Sequence, residues 1–129
     1  MIPKFRVWLP DPDVKRMLRV KALVFENDKT RCVCGYSYDF YLEDEDAILM
    51  QSTGLLDKDS KEIFDGDILA TETKDGLVKV IVFWDNEHAL FMVESKTYNK
   101  KAALAELIED GSSMTIIGNI HENSALLEK

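Results

Sequence analysis

Alternating apolar and polar residues in the first half of the chain predict β-strands. Three segments carry this period-two pattern: Phe5–Leu9, Met17–Glu26 and Arg31–Tyr41. The runs Pro10-Asp11-Pro12-Asp13 and Asn27-Asp28-Lys29-Thr30 separate them, and both have the composition of turns. We therefore predict a three-stranded antiparallel meander, to which Ala47–Gln51 can add a fourth strand.

The second half predicts a further group of short strands. The pattern places them at Asp67–Thr73, Leu77–Trp84, Ala89–Glu94 and Met114–His121. Asp75-Gly76 between two alternating runs is a strong hairpin signal, and Gly118 is a candidate β-bulge. Short strands joined by tight turns are typical of a small SH3-like barrel, although an open meander would give the same pattern.

One segment of the second half has helical rather than period-two spacing. Four apolar residues fall on one helical face: Ala103, Leu104, Leu107 and Ile108. Asn99 can cap the start and Gly111 can end the segment, so we predict a helix over 100–110.

The elements together define the fold class as mainly β (α+β). The 129 residues are enough for one core, so we predict a single compact unit over 1–129. Within it we expect an N-terminal β meander over 1–52 and a barrel-like half with the helix over 63–129. A content of 46% apolar and 31% charged residues is that of an ordinary globular protein.

The stretch from Ile48 to Leu69 connects these halves and contains two glycines. Gly54 and Gly66 lie where the chain must reverse or bulge, and only glycine adopts positive φ without steric cost. We expect both to have this conformation.

Three blocks of the chain resemble the YopX family, small proteins of bacteriophages and prophages of Gram-positive bacteria. The central block is Met50 to Ile68, which includes Ser52-Thr53-Gly54 and Phe64-Asp65-Gly66-Asp67; the flanking blocks are Pro3 to Trp8 and Ile116 to Leu127. The chain departs from the usual pattern at Ser52 and His121 (aromatic), at Ser60 (glycine) and at Ser124-Ala125 (Pro-Glu). The resemblance implies a phage origin and a mostly β fold, and it implies no activity.

The motif positions within these blocks are treated as structural. They are Trp8, Gly54, Asp65, Gly66, Asp67, Gly118, Asn119 and Asn123.

The charge balance argues against nucleic-acid binding as the main role. The net charge is −8, and acidic residues are spread over both halves. A protein that neutralises phosphates needs excess Lys and Arg on one face. The acidic run Glu43-Asp44-Glu45-Asp46 fits a solvated loop, and a DNA-mimicking surface is the sharper alternative.

A lysine group in the second half is the feature that favours nucleic acid. Its members are Lys74, Lys79, Lys96, Lys100 and Lys101, with Trp84, Phe91 and Tyr98 as possible stacking surfaces. Acidic residues such as Glu72 and Glu94 are interleaved with them, so solvated lysines around core aromatics are favoured.

The candidate chemical motifs are all incomplete. Cys32 and Cys34 are too widely spaced along a strand for good disulfide geometry, and the two histidines, His88 and His121, lie in distant segments. Asp57 to Glu62 begins like a calcium loop but lacks the third ligand and the required glycine, so it fits a polar turn. We expect no metal, no cofactor and no catalytic residues.

These observations favour a non-enzymatic protein-interaction module that self-associates as a homo-oligomer with an unknown protein partner. A nucleic-acid-binding accessory protein is the alternative, and an enzyme with scattered acidic residues is a weaker one. No apolar run reaches the roughly 20 residues of a membrane helix, and no leader is visible, so we expect a cytoplasmic protein with no membrane partner.

Overall fold

A computed structural model describes residues 3–35, 38–74 and 76–127 of the chain. Its packing divides the chain into two compact units, Met1–Ser52 and Thr53–Lys129. The expected division into 1–52 and 63–129 stays a prediction. Residues 53–62, which the sequence left between the two halves, belong to the second unit. The single compact unit over 1–129 stays a prediction.

The first unit contains two antiparallel sheets. Its strands are β1 (Phe5–Leu9), β2 (Arg16–Arg19), β3 (Ala22–Phe25), β4 (Thr30–Val33), β5 (Asp39–Tyr41) and the start of β6 (Ile48–Leu56). β1 pairs with β2 on one side and with β6 on the other, and β3, β4 and β5 form a separate sheet in that order. Trp8, the fourth residue of β1, is buried, with Met17 and Ile48 as its strand partners.

The predicted strand over Met17–Glu26 is wrong, because the chain changes sheets within it. The backbone N–H of Val20 donates to Phe5 O in β1, whereas the N–H of Lys21 donates to Val33 O in β4. Two neighbouring residues thus hydrogen-bond to different sheets, and the segment becomes β2 and β3.

The predicted strand over Arg31–Tyr41 is also wrong, because it reverses at Gly35. Gly35 has a φ of 100°, and the N–H of Cys34 donates to Tyr38 O across the turn. The prediction also covered Tyr36 and Ser37, which lie outside the described residues. The expected antiparallel N-terminal half is confirmed, with β3, β4 and β5 as a three-stranded meander, but its strand bounds differ from the prediction and β1 and β2 belong to another sheet. The antiparallel β3–β4 hairpin at Asn27–Thr30 is confirmed.

The second unit is built on a five-stranded antiparallel sheet that curls into a half-barrel. After the end of β6, its elements are β7 (Glu62–Phe64), β8 (Asp67–Thr73), β9 (Gly76–Asp85), β10 (Leu90–Ser95), β11 (Lys100–Ala103), α1 (Leu104–Glu109), β12 (Met114–Asn119) and a 3₁₀ helix at Ser124–Leu127. The sheet order is β11-β10-β9-β8-β12, so β12, the last strand along the chain, pairs with β8, the first strand of this sheet. The prediction of a mainly β fold with a barrel-type C-terminal half is confirmed.

The core of the second unit fills the concave side of this sheet. Its buried residues are Ile63, Leu69, Val80, Val82, Val93, Leu104 and Met114. Alternate residues of each strand point inward, which is why Val80 and Val82 are buried while their neighbour Ile81 is only half-buried. Burial of this apolar set is the main force that holds the half-barrel together.

The predicted helix over 100–110 is too long. Lys100–Ala103 forms β11 instead, with Val93 opposite Ala102 and Ser95 opposite Lys100. Pairing with β10 satisfies the backbone groups of these residues and overrides their helix propensity. The N-cap is Ala103, without a side-chain hydrogen bond, whereas Asn99 lies in the turn before β11 with a φ of 51°.

Three further predictions concern glycines, and one concerns membrane helices. Gly54 and Gly66 have φ values of 78° and 87°, as expected. The strand register shifts between Ile116 and Gly118, which confirms the predicted bulge. Of the Asp75-Gly76 hairpin, Asp75 lies outside the described residues, and Gly76 has a φ of 107°. None of the described helices is long and apolar enough to cross a membrane.

Candidate functional site

The central and C-terminal motif blocks meet at Gly66. Its N–H donates to Val82 O at 2.8 Å, and its own carbonyl accepts from the N–H of Ile120 at 2.9 Å. Gly66 and Asp65 form the turn between β7 and β8, and Asp67 begins β8. The Asp67 side chain is 1% exposed, and its Oδ2 accepts from the N–H of Phe64 at 2.8 Å. These contacts hold the β7–β8 turn against β9 and against the residue that follows β12.

The C-terminal block forms a second locked turn around Asn119. The Asn119 Oδ1 accepts from the N–H groups of His121 and Glu122, at 3.0 and 2.9 Å, and its Nδ2 donates to Glu122 Oε1. Asn123 Oδ1 in turn accepts from the N–H of Asn119 at 3.1 Å. A Cβ on Gly118 would lie 2.6 Å from that same oxygen, so the bulge leaves room for the Asn123 side chain.

Asp57 lies in the turn between β6 and β7 and connects the central motif block with β12. This connection was not predicted from the sequence. Its Oδ1 accepts from the N–H groups of Asp59 and Lys61, which is the local role expected of a polar turn. Its Oδ2 accepts from the N–H of Ile116 in β12 at 3.0 Å, and the N–H of Lys58 donates to Met114 O. The Asp57 turn thus covers the outer edge of β12. No local sequence signal indicates a partner 59 residues away.

The environment of Asp57 favours its ionised form. Burial by itself opposes ionisation, but the backbone hydrogen bonds from Ile116, Lys61 and Asp59 together hold the pKa of its carboxyl below the usual value. This carboxylate supplies acceptors for three backbone N–H groups. Its role is structural.

The cysteines and His88, which the sequence offered as candidate chemical residues, do not come together in one site. Cys32 is buried, and its Sγ lies 3.8 Å from that of Cys34, so both thiols are free. Burial raises the pKa of the Cys32 thiol to about 12 and also raises that of Cys34, which keeps both protonated near neutral pH. His88 contacts Asp85 at 2.8 Å on the surface. In residues 3–35, 38–74 and 76–127, no three His, Cys, Asp or Glu side chains gather as metal ligands.

The structure brings only part of the lysine group together, because Lys79 and Lys96 line one cavity with Tyr98. Lys100 and Lys101 are adjacent on β11 and point to opposite sides of the sheet. Lys101 lies 3.9 Å from Glu94 and over the Phe83 ring, and Lys79 donates to Leu126 O at 2.8 Å. Of the proposed stacking surfaces, Trp84 and Phe91 pack edge to face with each other, with centroids 5.0 Å apart.

An exposed apolar strand edge is the feature of the first unit that sequence reasoning missed. β3 consists of Ala22, Leu23, Val24 and Phe25, and it lies at the edge of its sheet with β4 on one side. The Phe25 side chain is 80% exposed, the highest fraction among the large apolar residues of the described chain. The signal that could have found it is the absence of any charge within the strand.

The hydrogen-bond pattern tells which β3 groups face the open edge. The N–H of Glu26 donates to Lys29 O in the register of the β3–β4 pair. In an antiparallel pair every second residue exchanges these bonds, so Val24 bonds to β4 while Leu23 and Phe25 direct their N–H and C=O groups outward. Thr30, opposite Phe25, accepts from Leu42 on its other side, which agrees with this assignment.

A basic cleft lies beside β3. It has a volume of about 490 Å³, and Lys4, Arg19 and Lys21 line it together with Phe5, Leu23 and Phe25. None of its lining residues is acidic. The end of the Lys21 side chain lies against Gly35, which is outside this lining, so Lys4 and Arg19 are the cations of the cleft.

The fold and these sites define a small, mostly β protein in which the sequence motifs build turns and the candidate binding surface is a strand edge. Among known families, the sequence model described as YopX protein matches residues 4–128. The chain therefore belongs to the YopX family, and the resemblance seen in the sequence is confirmed.

Two crystal structures have a similar fold. Protein EF1440 from Enterococcus faecalis is 23% identical, with a TM-score of 0.64 over 99% of both chains. Protein yopX from Bacillus subtilis is 18% identical, with a TM-score of 0.68 over 97% of this chain and 98% of its own. At these identities the likeness concerns the fold. The comparison with curated proteins gives no significant match.

Proposed function

We propose that this protein is a non-enzymatic protein-interaction module that self-associates through the open edge of β3. The single observation that supports this proposal is the all-apolar composition of that edge strand. An unpaired strand edge is a template for pairing with another chain, and natural proteins usually protect such edges.

The other sheet edges of the described chain carry such protection. β2 begins and ends with arginine, and β11 begins with two lysines. The edge of β12 is covered by Asp57 and Lys58. The remaining edge strands, β5 and β7, are each three residues long and begin with Asp39 and Glu62. β3 carries no charged residue, and no described turn covers it. An edge that binds a partner has to be accessible in this way.

The wider setting of the proposal is a phage or prophage protein in the host cytoplasm, which the family membership supports. In the second unit the last strand, β12, pairs with β8, the first strand of the five-stranded sheet. This strand order supports the proposal that the half-barrel is SH3-like. An additional protein partner is proposed to be recognised by the same kind of strand pairing. Nucleic-acid binding by the lysine group is disfavoured, because the group is dispersed and partly paired.

Leu23→Pro tests the proposal directly. The Leu23 N–H faces the open edge, so proline removes a donor that β4 does not use and blocks pairing with a second strand. Leu23→Ala is the matched control, because it also shortens the side chain but keeps the N–H. We expect the Leu23→Ala protein to dimerise reversibly in sedimentation-velocity experiments and the Leu23→Pro protein to stay monomeric, with similar circular dichroism spectra. A parent protein that is monomeric at every concentration would contradict the proposal.

A further inference from the structure

The basic cleft lies where the chain passes from one sheet to the other. The N–H of Val20 donates to Phe5 O at 3.1 Å. The next N–H, that of Lys21, donates instead to Val33 O at 2.7 Å. β3 therefore diverges from residues 3–5, and the cleft lies between these two segments. Its volume of about 490 Å³ is within the range of roughly 300–1,000 Å³ that is typical of ligand-binding clefts.

The β3 wall of the cleft carries backbone groups that β4 does not use. Leu23 and Phe25 line the cleft, whereas Val24 between them does not. Leu23 and Phe25 are also the residues of this strand whose N–H and C=O groups are directed away from β4. No described strand pairs with this side of β3. The cleft therefore offers alternating donors and acceptors to an extended chain, which is the requirement for strand addition.

The cations of the cleft are available to a partner. Lys4 and Arg19 are both exposed, and no acidic residue lines the cleft. Within residues 3–35, 38–74 and 76–127, neither side chain takes part in a hydrogen bond or an ion pair. Two unpaired cations in one cleft attract acidic groups, and salt weakens this attraction.

The backbone groups of β3 favour a protein segment over a nucleic acid as the acidic partner. Phosphates only accept hydrogen bonds, so they would leave the outward C=O groups of Leu23 and Phe25 without a donor. A peptide backbone supplies donors as well as acceptors, and Asp or Glu side chains along it can pair with Lys4 and Arg19. The net charge of −8 also repels a long polyanion more than a short acidic segment.

In a second copy of this chain, neither the acidic run nor β3 supplies such a segment. The acidic run over 43–46 lies in the turn after β5. There Glu43 accepts from the N–H of Thr30, and Asp44 pairs with Lys29. β3 itself carries no charged residue. The acidic segment therefore belongs to a different protein.

We propose that this cleft binds an extended acidic segment of a different protein, which adds a strand to β3 and places its carboxylates beside Lys4 and Arg19. This inference rests on the open β3 edge of the proposed function and names the chemistry of the additional protein partner. One strand edge pairs with one strand at a time, so the partner and a second copy of the chain compete for β3. Binding of the partner therefore dissociates the dimer, and it weakens as the salt concentration rises.

Two labelled peptides of equal length test the charge preference. Both have the same core of alternating Val and Thr, one with Glu at each end and the other with Lys at each end. We expect the acidic peptide to bind the parent protein at least about tenfold more tightly than the basic one, as measured by fluorescence anisotropy. Lys4→Glu with Arg19→Glu should reverse this preference. In sedimentation-velocity experiments the acidic peptide should convert parent dimers to monomers.

Further variants separate charge from strand pairing. Lys100→Glu with Lys101→Glu changes the net charge by the same amount but lies in the second unit, so it should bind the acidic peptide like the parent protein. Leu23→Pro keeps both cations of the cleft but blocks the added strand, so it should lose the peptide. Lys4→Gln with Arg19→Gln, which replaces the glutamate variant if that one does not fold, should bind both peptides equally.

The outcomes distinguish this inference from the proposed self-association. Equal affinity of the parent protein for both peptides, or no binding of the acidic peptide at about 1 mM, would overturn the inference while self-association stands. Unchanged peptide binding by Leu23→Pro would overturn it as well. A single-stranded oligonucleotide that binds the parent protein more tightly than the acidic peptide, but not the glutamate variant, would assign the cleft to nucleic acid instead. A monomeric parent protein that binds the acidic peptide would support this inference and overturn self-association.

Discussion

In the second unit the edge of β12 is covered by the Asp57 turn, whereas in the first unit the edge of β3 is apolar and no described strand pairs with it. The net charge also differs between the two units, and the second unit is the more acidic. Residues 1–52 carry 8 Lys and Arg against 9 Asp and Glu, and residues 53–129 carry 8 against 15. Most motif residues of the family lie in the second unit, where they hold turns by hydrogen bonds. The polar motif residues of the second unit stabilise its own turns, whereas the first unit contains the strand edge that we propose to bind a second copy.

Removing the Asp57 carboxylate should give the largest effect. Asp57→Ala leaves three N–H groups without their acceptor, and we expect a loss of about 3 kcal/mol in the free energy of unfolding. Urea unfolding near neutral pH measures it. Asp57→Asn keeps one carbonyl acceptor and should lose roughly half as much. An alanine variant as stable as the parent protein would remove the distinction between the two edges.

The same carboxylate predicts a pH dependence. Its pKa is lower in the folded protein than in the unfolded chain, so its stabilising contribution is complete above the unfolded pKa of about 4 and is lost as the pH falls through the folded pKa. The parent protein should therefore lose more stability on acidification than Asp57→Asn does. Equal acid sensitivity of the two proteins would contradict this role.

Gly66→Val should have the next largest effect. Gly66 has a φ of 87°, which is costly for branched side chains, and its backbone joins the β7–β8 turn to Val82 and Ile120. We expect a loss of more than about 1 kcal/mol, with Gly66→Asn less affected because asparagine tolerates this conformation better. Thermal melts compare the three proteins, and an unchanged melt for the valine variant would refute the account of the central turn.

Gly118→Ala should cost about 1 kcal/mol, because its Cβ would collide with the Asn123 side chain. Asn123→Ala removes both the collision and the hydrogen bond to Asn119. The effects of the two substitutions should therefore not add in the double variant, which a double-mutant cycle on unfolding free energies detects. Strict additivity would mean that the two residues act independently.

Phe25→Ala should have the smallest effect on stability. The ring is 80% exposed, so we expect a change within about 0.5 kcal/mol, measured at concentrations where the protein is monomeric. This result would complete the contrast with Asp57, since the first unit would lose a surface residue without loss of fold. A loss above about 1 kcal/mol would show that Phe25 serves the fold of its own chain.

The sequence by itself determined the strand-rich character of the chain, the turns and the positive φ of Gly54 and Gly66. Local alternation and glycine chemistry act within a few residues, so they can be recognised without the fold. The three motif blocks likewise established the family.

Only the tertiary structure decided where strands break and which residues meet. Val20 and Lys21 look like the middle of one strand, yet they bond to β1 and β4 because two different sheets compete for their N–H groups. Lys100–Ala103 has helical composition but pairs with β10. Asp57 reaches Ile116, and β3 becomes an open edge, through contacts between segments far apart in sequence. Such pairings depend on the arrangement of whole sheets, and no local pattern of side chains encodes them.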